Sequence, residues 1–293
     1  MKFDAGDRAD GNQVEDRRGM GGMIGAGAGG LGLVGTLIYV ALQLLGGGTS
    51  DSGAPATTNV TSAPNQGNSK IVSQSCQGIT AAKDQGEFVA CVQNNVQTFW
   101  TQALTKEGSQ YHPAKLVLFT DATRSGCGTA SAQTGPFYCP EDHKVYLDTG
   151  FFDELHNRFH AKGGDFAEAY VVAHEYGHHV QSILGTERAF EAAIARDPRQ
   201  HNALSVMLEL QADCFAGVWG HSAYEHGNVS EAEIAQGLDA AASVGDDRIQ
   251  QSVGSRVRPE KFTHGSAADR QRWFQTGMTA GDAGACDTFS GRL

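Results

Sequence analysis

The stretch Ala173-His-Glu-Tyr-Gly-His-His179 decides how the rest of the chain is read. Within it His174, Glu175 and His178 form the pattern H-E-x-x-H. Positions four apart on a helix share a face, so His174 and His178 can offer two imidazole nitrogens to one ion. Glu175 sits one position round, beside such an ion, where the general base of metal-assisted hydrolysis stands. The flanks are apolar: Phe166, Ala169, Tyr170, Val171 and Val172 before the motif, Val180, Ile183 and Leu184 after it. With Asp165 as N-cap and Gly185 as stop, the segment predicts one buried helix of about 20 residues. Three ionisable groups in so apolar a helix would be costly without partners, which disfavours coincidence. Gly177 costs about 1 kcal/mol of helix propensity relative to Ala, reasonable where another element or a substrate comes close.

Hydrolytic zinc takes three protein ligands and leaves the fourth position to water. A third His in the extended pattern H-E-x-x-H-x-x-G-x-x-H would need Gly at 181 and His at 184. Those positions hold Gln181 and Leu184, so that ligand set is excluded. A Glu from a later helix is the other source, and Glu187, Glu191 and Glu209 are the candidates. Glu187 follows too closely on the Gly185 break, and Glu191 has only Ala195 one turn on. Glu209 lies in Ser205-Val-Met-Leu-Glu-Leu-Gln-Ala-Asp-Cys-Phe-Ala-Gly-Val-Trp219, a second strongly apolar helix, with Asp213 one turn on. Asp213 could then accept the second ring N–H of a zinc-bound His while Glu209 binds the metal. Carboxylates at i, i+4 are ordinarily a solvated face, but in a helix this apolar the metal reading prevails. Ala216 and Gly220 continue the face and allow close helix packing.

The segments 173–181, 209–220, Gly135-Pro-Phe-Tyr-Cys-Pro140 with Val145-Tyr-Leu-Asp148, and Lys261-Phe-Thr-His-Gly265 with Trp273 and Phe274 together resemble a bacterial membrane-anchored family of neutral zinc metallopeptidases. The Glu209-Leu-Gln-Ala-Asp213 stretch is also similar to the E-x-x-x-D helix of gluzincins. The resemblance implies a zincin-type domain with one Zn²⁺ per chain, His174, His178 and Glu209 as its ligands, and Glu175 as catalytic acid/base. The substrate it implies is a peptide or protein. A second donor to the developing oxyanion is expected from His264, which the last of these segments surrounds, with His221, Tyr224 and His226 as lesser candidates; His179 reads as a packing or surface residue. Two other readings stay open: a catalytically idle zinc-binding scaffold in a membrane complex, and a metal-dependent amidase acting on cell-envelope material.

The sequence divides into three parts before this domain. Residues 1–19 mix Lys2, Arg8, Arg17 and Arg18 with five acids and read as a cytoplasmic tail. Residues 20–45 carry no charge, and 24–45 suffices to cross a hydrocarbon core of about 30 Å. Gly21, Gly25 and Gly29 recur four apart, a ladder that could pack on another membrane helix. Arg17 and Arg18 precede the apolar run and no Lys or Arg follows before Lys70, so the positive-inside rule predicts a single-pass anchor with the N-terminus in the cytoplasm and the domain periplasmic or extracellular. Residues 46–70 are Gly, Ser, Thr, Asn, Pro and Ala, a flexible linker. Residues 71–293 then form one domain.

Six cysteines all lie beyond the apolar run, which fits an oxidising compartment. Of the fifteen pairings six cysteines allow, Cys76–Cys91, Cys127–Cys139 and Cys214–Cys286 are expected, two local loops and one long tie. No clustered C-x-x-C supports a cysteine metal site. A net charge of −11 and a pI near 5.4 exclude nucleic acid and anionic lipid surfaces as natural partners. Helices are predicted over 84–104, 151–160, 230–242 and 266–278 besides the two metal helices, with strands at 115–120 and 144–147. The fold class is therefore α+β, mainly helical with a small sheet. Lys144–Asp148 is the candidate edge strand for holding substrate backbone.

Overall fold

The computed structural model describes residues 1–19, 71, 74–131 and 134–290. In chain order the elements are β1 (Val14–Asp16), α1 (Gln85–Lys106), β2 (Lys115–Phe119), β3 (Ala122–Ser125), β4 (Gly128–Ser131), β5 (Phe137–Cys139) and β6 (Lys144–Asp148). Then follow α2 (Phe151–Asn157), α3 (Asp165–Leu184), α4 (Thr186–Arg196), α5 (His201–Glu225), α6 (Glu231–Ser243), α7 (Asp246–Ser252) and α8 (Ala267–Ala280). The expected α+β class with a helical majority holds. The predicted span at 20–45, its Gly21, Gly25 and Gly29 ladder, and the 46–70 linker lie outside the described residues. Among the described residues no helix is long and apolar enough to cross a membrane.

The sheet runs β1-β2-β6-β5, parallel except for β5 on β6. Parallel strands buried on both faces read as continuous apolar runs, and Leu116-Val-Leu-Phe119 is one. Leu116, Leu118, Val145 and Leu147 face the helices, while Val117, Phe119 and Tyr146 face a smaller cluster with Phe137 and Ala130 of the β3–β4 hairpin. The strand predicted to be a free edge, Lys144–Asp148, lies inside this sheet between β2 and β5. Its backbone groups are taken by both neighbours, so it cannot receive a substrate strand. On the helical side, β5 is the edge.

Small residues let the long helices meet backbone to backbone. A Cβ at Gly177 on α3 would lie 3.0 Å from the Ala212 carbonyl oxygen on α5. A Cβ at Gly217 would overlap the Phe274 carbonyl of α8, and one at Gly277 the Cys214 carbonyl of α5. Phe166 stacks on Trp219 at 5.8 Å between ring centres, completing the packing of α3 on α5. The helix carrying the motif starts one residue earlier than expected, with Gly164 at the N-cap and Asp165 inside its first turn. Gly185 ends it in the left-handed conformation (φ 78°), as the stop signal predicted. All three expected disulfides are present.

Residues 1–19 depart from expectation. They were read as a tail outside the domain, yet they are part of it. β1 pairs in parallel with β2, Val14 opposite Leu116, and Met1, Phe3, Ala9 and Val14 are buried in the main core. The Met1 ammonium pairs with Glu233 and lies 3.8 Å from Asp165. Arg18 pairs with the buried Asp16 at 2.8 Å, and Lys144 on β6 reaches Glu15 at 2.7 Å. A polar, charged segment can enter a fold this way because its charges pair along the sheet surface while a few apolar side chains anchor it.

Candidate metal centre

Helices α3 and α5 bring His174, His178 and Glu209 together, and their ligand atoms all lie within 4.8 Å of one another. His174 Nε2 is 3.2 Å from one Glu209 oxygen and His178 Nε2 is 3.5 Å from the other. Donors placed tetrahedrally at about 2.0–2.1 Å from zinc stand about 3.3–3.4 Å apart, and both His–Glu209 separations are close to that spacing. Glu187 and Glu191 do not join the cluster, and Cys214 is taken by its disulfide.

Each histidine is oriented from behind. His174 Nδ1 donates to Asp213 Oδ1 at 2.9 Å, as the sequence suggested. His178 Nδ1 donates to Gln181 Oε1 at 2.8 Å, and Gln181 in turn donates to the Leu208 carbonyl and to Gln211. Both Nε2 atoms therefore point toward Glu209, the side from which a cation would be held. The Asp213 charge is buried, and Arg270 of α8 neutralises it with two bonds of 2.8 and 2.9 Å. Tyr170 also donates to Asp213 and receives a bond from Arg270 at 3.2 Å. Arg270 and Gln181 were not assigned these roles from sequence. Arg270 shares the 267–280 segment with Asp269 and Arg272, so no local signal singled it out. For Gln181 the available signal was its place three residues after His178, on the same helix face.

The electrostatics match a cation site. Burial pushes the Glu209 carboxyl up, but His178 and His174 reverse this and hold it well below the usual carboxylate range. Burial disfavours charge on His174, yet Asp213 and Glu209 lift its ring to about 9. A cation arriving here would displace those ring protons. Glu175 is 1 % exposed, and neither carboxylate oxygen has a hydrogen-bond partner among the described residues. Burial raises it above its ordinary value. A cavity lined by Pro136, Phe151, Tyr170, Val171, His174 and Glu175 opens beside it. An unpartnered buried carboxylate beside three convergent donors is what a proton acceptor for a metal-activated water requires.

These features coincide with a family match. A family profile described as "Putative neutral zinc metallopeptidase" fits residues 1–289. The chain belongs to that family. Its relatives include the uncharacterized protein YpfJ of Escherichia coli, 42% identical over 218 residues, or 74% of this chain and 76% of that one. The uncharacterized protein Mb2605 of Mycobacterium bovis is 46% identical over 222 residues, 71% of this chain and 73% of its own length. Rv2575 of Mycobacterium tuberculosis, also uncharacterized, matches to the same extent, at 46% over 222 residues. No solved structure matches the chain. The metallopeptidase profile includes residues 1–19, in agreement with their place in the domain.

Of the other candidate residues, His264 is buried, with Nδ1 3.1 Å from Asp246 Oδ1, and is close enough to feel the Glu209 charge. Asp246 also accepts the backbone N–H groups of Thr263, His264 and Gly265 at 2.7–3.0 Å, locking that loop. His221 and His226 instead bond the carbonyls of Met278 and Ser222, and Tyr224 is exposed. His179 is buried: Nε2 donates to the His112 carbonyl at 2.6 Å and Nδ1 faces the Tyr138 hydroxyl at 3.1 Å. It is a packing residue, inside rather than at the surface.

Proposed function

We propose that this chain is a zinc-dependent peptidase that hydrolyses peptide bonds with Glu175 as general base. The observation that carries the reading is the buried, unpartnered Glu175 carboxylate beside the His174–His178–Glu209 cluster. When bound, zinc supplies Lewis acidity and brings the pKa of a water to about 7. Glu175 takes a proton from the attacking water and returns it to the leaving amine. The raised pKa of Glu175 suits both transfers, since it holds the proton between them. His264, oriented by Asp246, donates to the carbonyl oxygen as negative charge builds there. The β5 edge, which Pro136 leads into beside the Glu175 cavity, aligns the substrate backbone by strand addition.

An idle zinc scaffold would have no use for a buried base, and its unpaired carboxylate would be pure cost. The test compares the full chain with Glu175→Gln. Both should hold about one zinc, as the ligand set is unchanged. The variant should cleave unfolded protein about 10²–10⁴-fold more slowly. Equal cleavage, or none by either protein, would remove the peptidase reading. Cleavage of cell-wall fragments but not of protein would favour the amidase.

A further inference from the structure

His264 forms part of the wall of a second cavity, of about 210 Å³, lined largely by residues of α7 and of the 253–263 segment. Ile249 and Val253 give it apolar walls, and Asp246 and His264 are its buried polar members. Around it stand Arg256, Arg258 and Lys261. All three are exposed, and none forms an ion pair among the described residues. The single carboxylate of the lining, Asp246, is already committed to His264 and to three backbone N–H groups. In a chain of net charge −11, three cations without an ion pair among the described residues gather round one cavity.

We infer that this cavity is a specificity subsite that takes a carboxylate-bearing residue of the peptide, with Arg256, Arg258 and Lys261 as its recognition groups. The inference rests on the peptidase reading for its substrate class. Drug-sized ligands fill pockets of about 300–1,000 Å³, so this smaller space suits one side chain or one chain end. Guanidinium groups bind carboxylates through paired N–H donors, and apolar walls take the methylenes that lead to the charge. The position beside His264 puts the subsite within a residue or two of the scissile bond. A net-acidic enzyme would otherwise repel acidic peptides, and the local cations reverse that at the cleft.

Two sources can supply the carboxylate: an acidic side chain or the free C-terminus. Three labelled peptides of one scaffold separate them: a glutamate peptide with an amidated end, a glutamine peptide with an amidated end, and the glutamine peptide with a free end. Binding is measured by fluorescence anisotropy to the full-length, zinc-loaded Glu175→Gln protein, and cleavage with the unmutated base. The expected result is at least tenfold tighter binding of one or both carboxylate peptides than of the neutral one. In R256Q/R258Q/K261Q that ratio should fall to within about twofold of unity, while Lys106→Gln, a cation at the C-terminal end of α1, leaves it in place. Equal binding of all three peptides, or a preference that survives the triple substitution, overturns the subsite. Cleavage of every peptide at one rate also overturns it and leaves the peptidase reading standing. Carboxylate-dependent binding without any cleavage does the reverse.

Discussion

Gln181 holds His178 as Asp213 holds His174, and only the second of these was legible beforehand. Asp213 could be found because a carboxylate in an apolar helix needs a reason to be there. Gln181 is neutral, so its presence raised no such question, and it was read only as the residue that excludes a His-only ligand set. Its contribution is testable. Gln181→Leu removes the acceptor for His178 Nδ1 and should weaken zinc binding by about 10–100-fold, measured by competition with a chromophoric chelator. Unchanged affinity would mean that helix packing alone aims the ring. Arg270 was hidden for a different reason: its partner lies 57 positions away in the chain, and no local pattern announces such a pairing.

At the level of elements, the long apolar helices α3 and α5 were legible because periodicity over five turns or more averages out local exceptions. The strands β1 and β5, of three residues each, carry too little pattern to be read. Pairing order is non-local, which is why β6 could be recognised as a strand and still be misplaced at the edge. The first turn of α3 carries a pH dependence. Glu168 is pushed up to about 7, first by burial, against a smaller opposing hydrogen bond from Gln85. Its folded pKa lies above the unfolded 4.5, so the native state binds the extra proton between those values. Stability from this group is therefore full below pH 4.5 and declines as pH rises toward 7. Glu168→Gln should leave stability near pH 4 unaltered and raise it at pH 8. Allowing for solvent screening, the gain is on the order of 1–2 kcal/mol. Denaturant titration at the two pH values checks the sign, and a loss at pH 8 would show that the carboxylate is stabilised.

For the whole molecule, the largest revision concerns residues 1–19. Polarity and net charge place them outside a core, and composition alone cannot reveal that Phe3 and Val14 are anchors. Burying a side chain of this kind is worth about 1.5–3 kcal/mol each. Against a total stability of about 5–15 kcal/mol, losing the arm is severe. A 71–293 fragment should accordingly melt far below the full chain or aggregate through the uncovered edge of β2. Matching melting curves for the two would show that the arm is dispensable.

The arm also makes residues 20–70 a closed excursion, since the chain is clamped to the same body before it and after it. A protease cut anywhere in that excursion would sever the polypeptide without separating its pieces. The nicked protein should run as two bands on a denaturing gel and as one species on a sizing column. What the cut removes is only the covalent link's contribution to local concentration. The 1–19 peptide should then exchange slowly with labelled peptide added in excess, so that the protein becomes its own fragment-complementation assay.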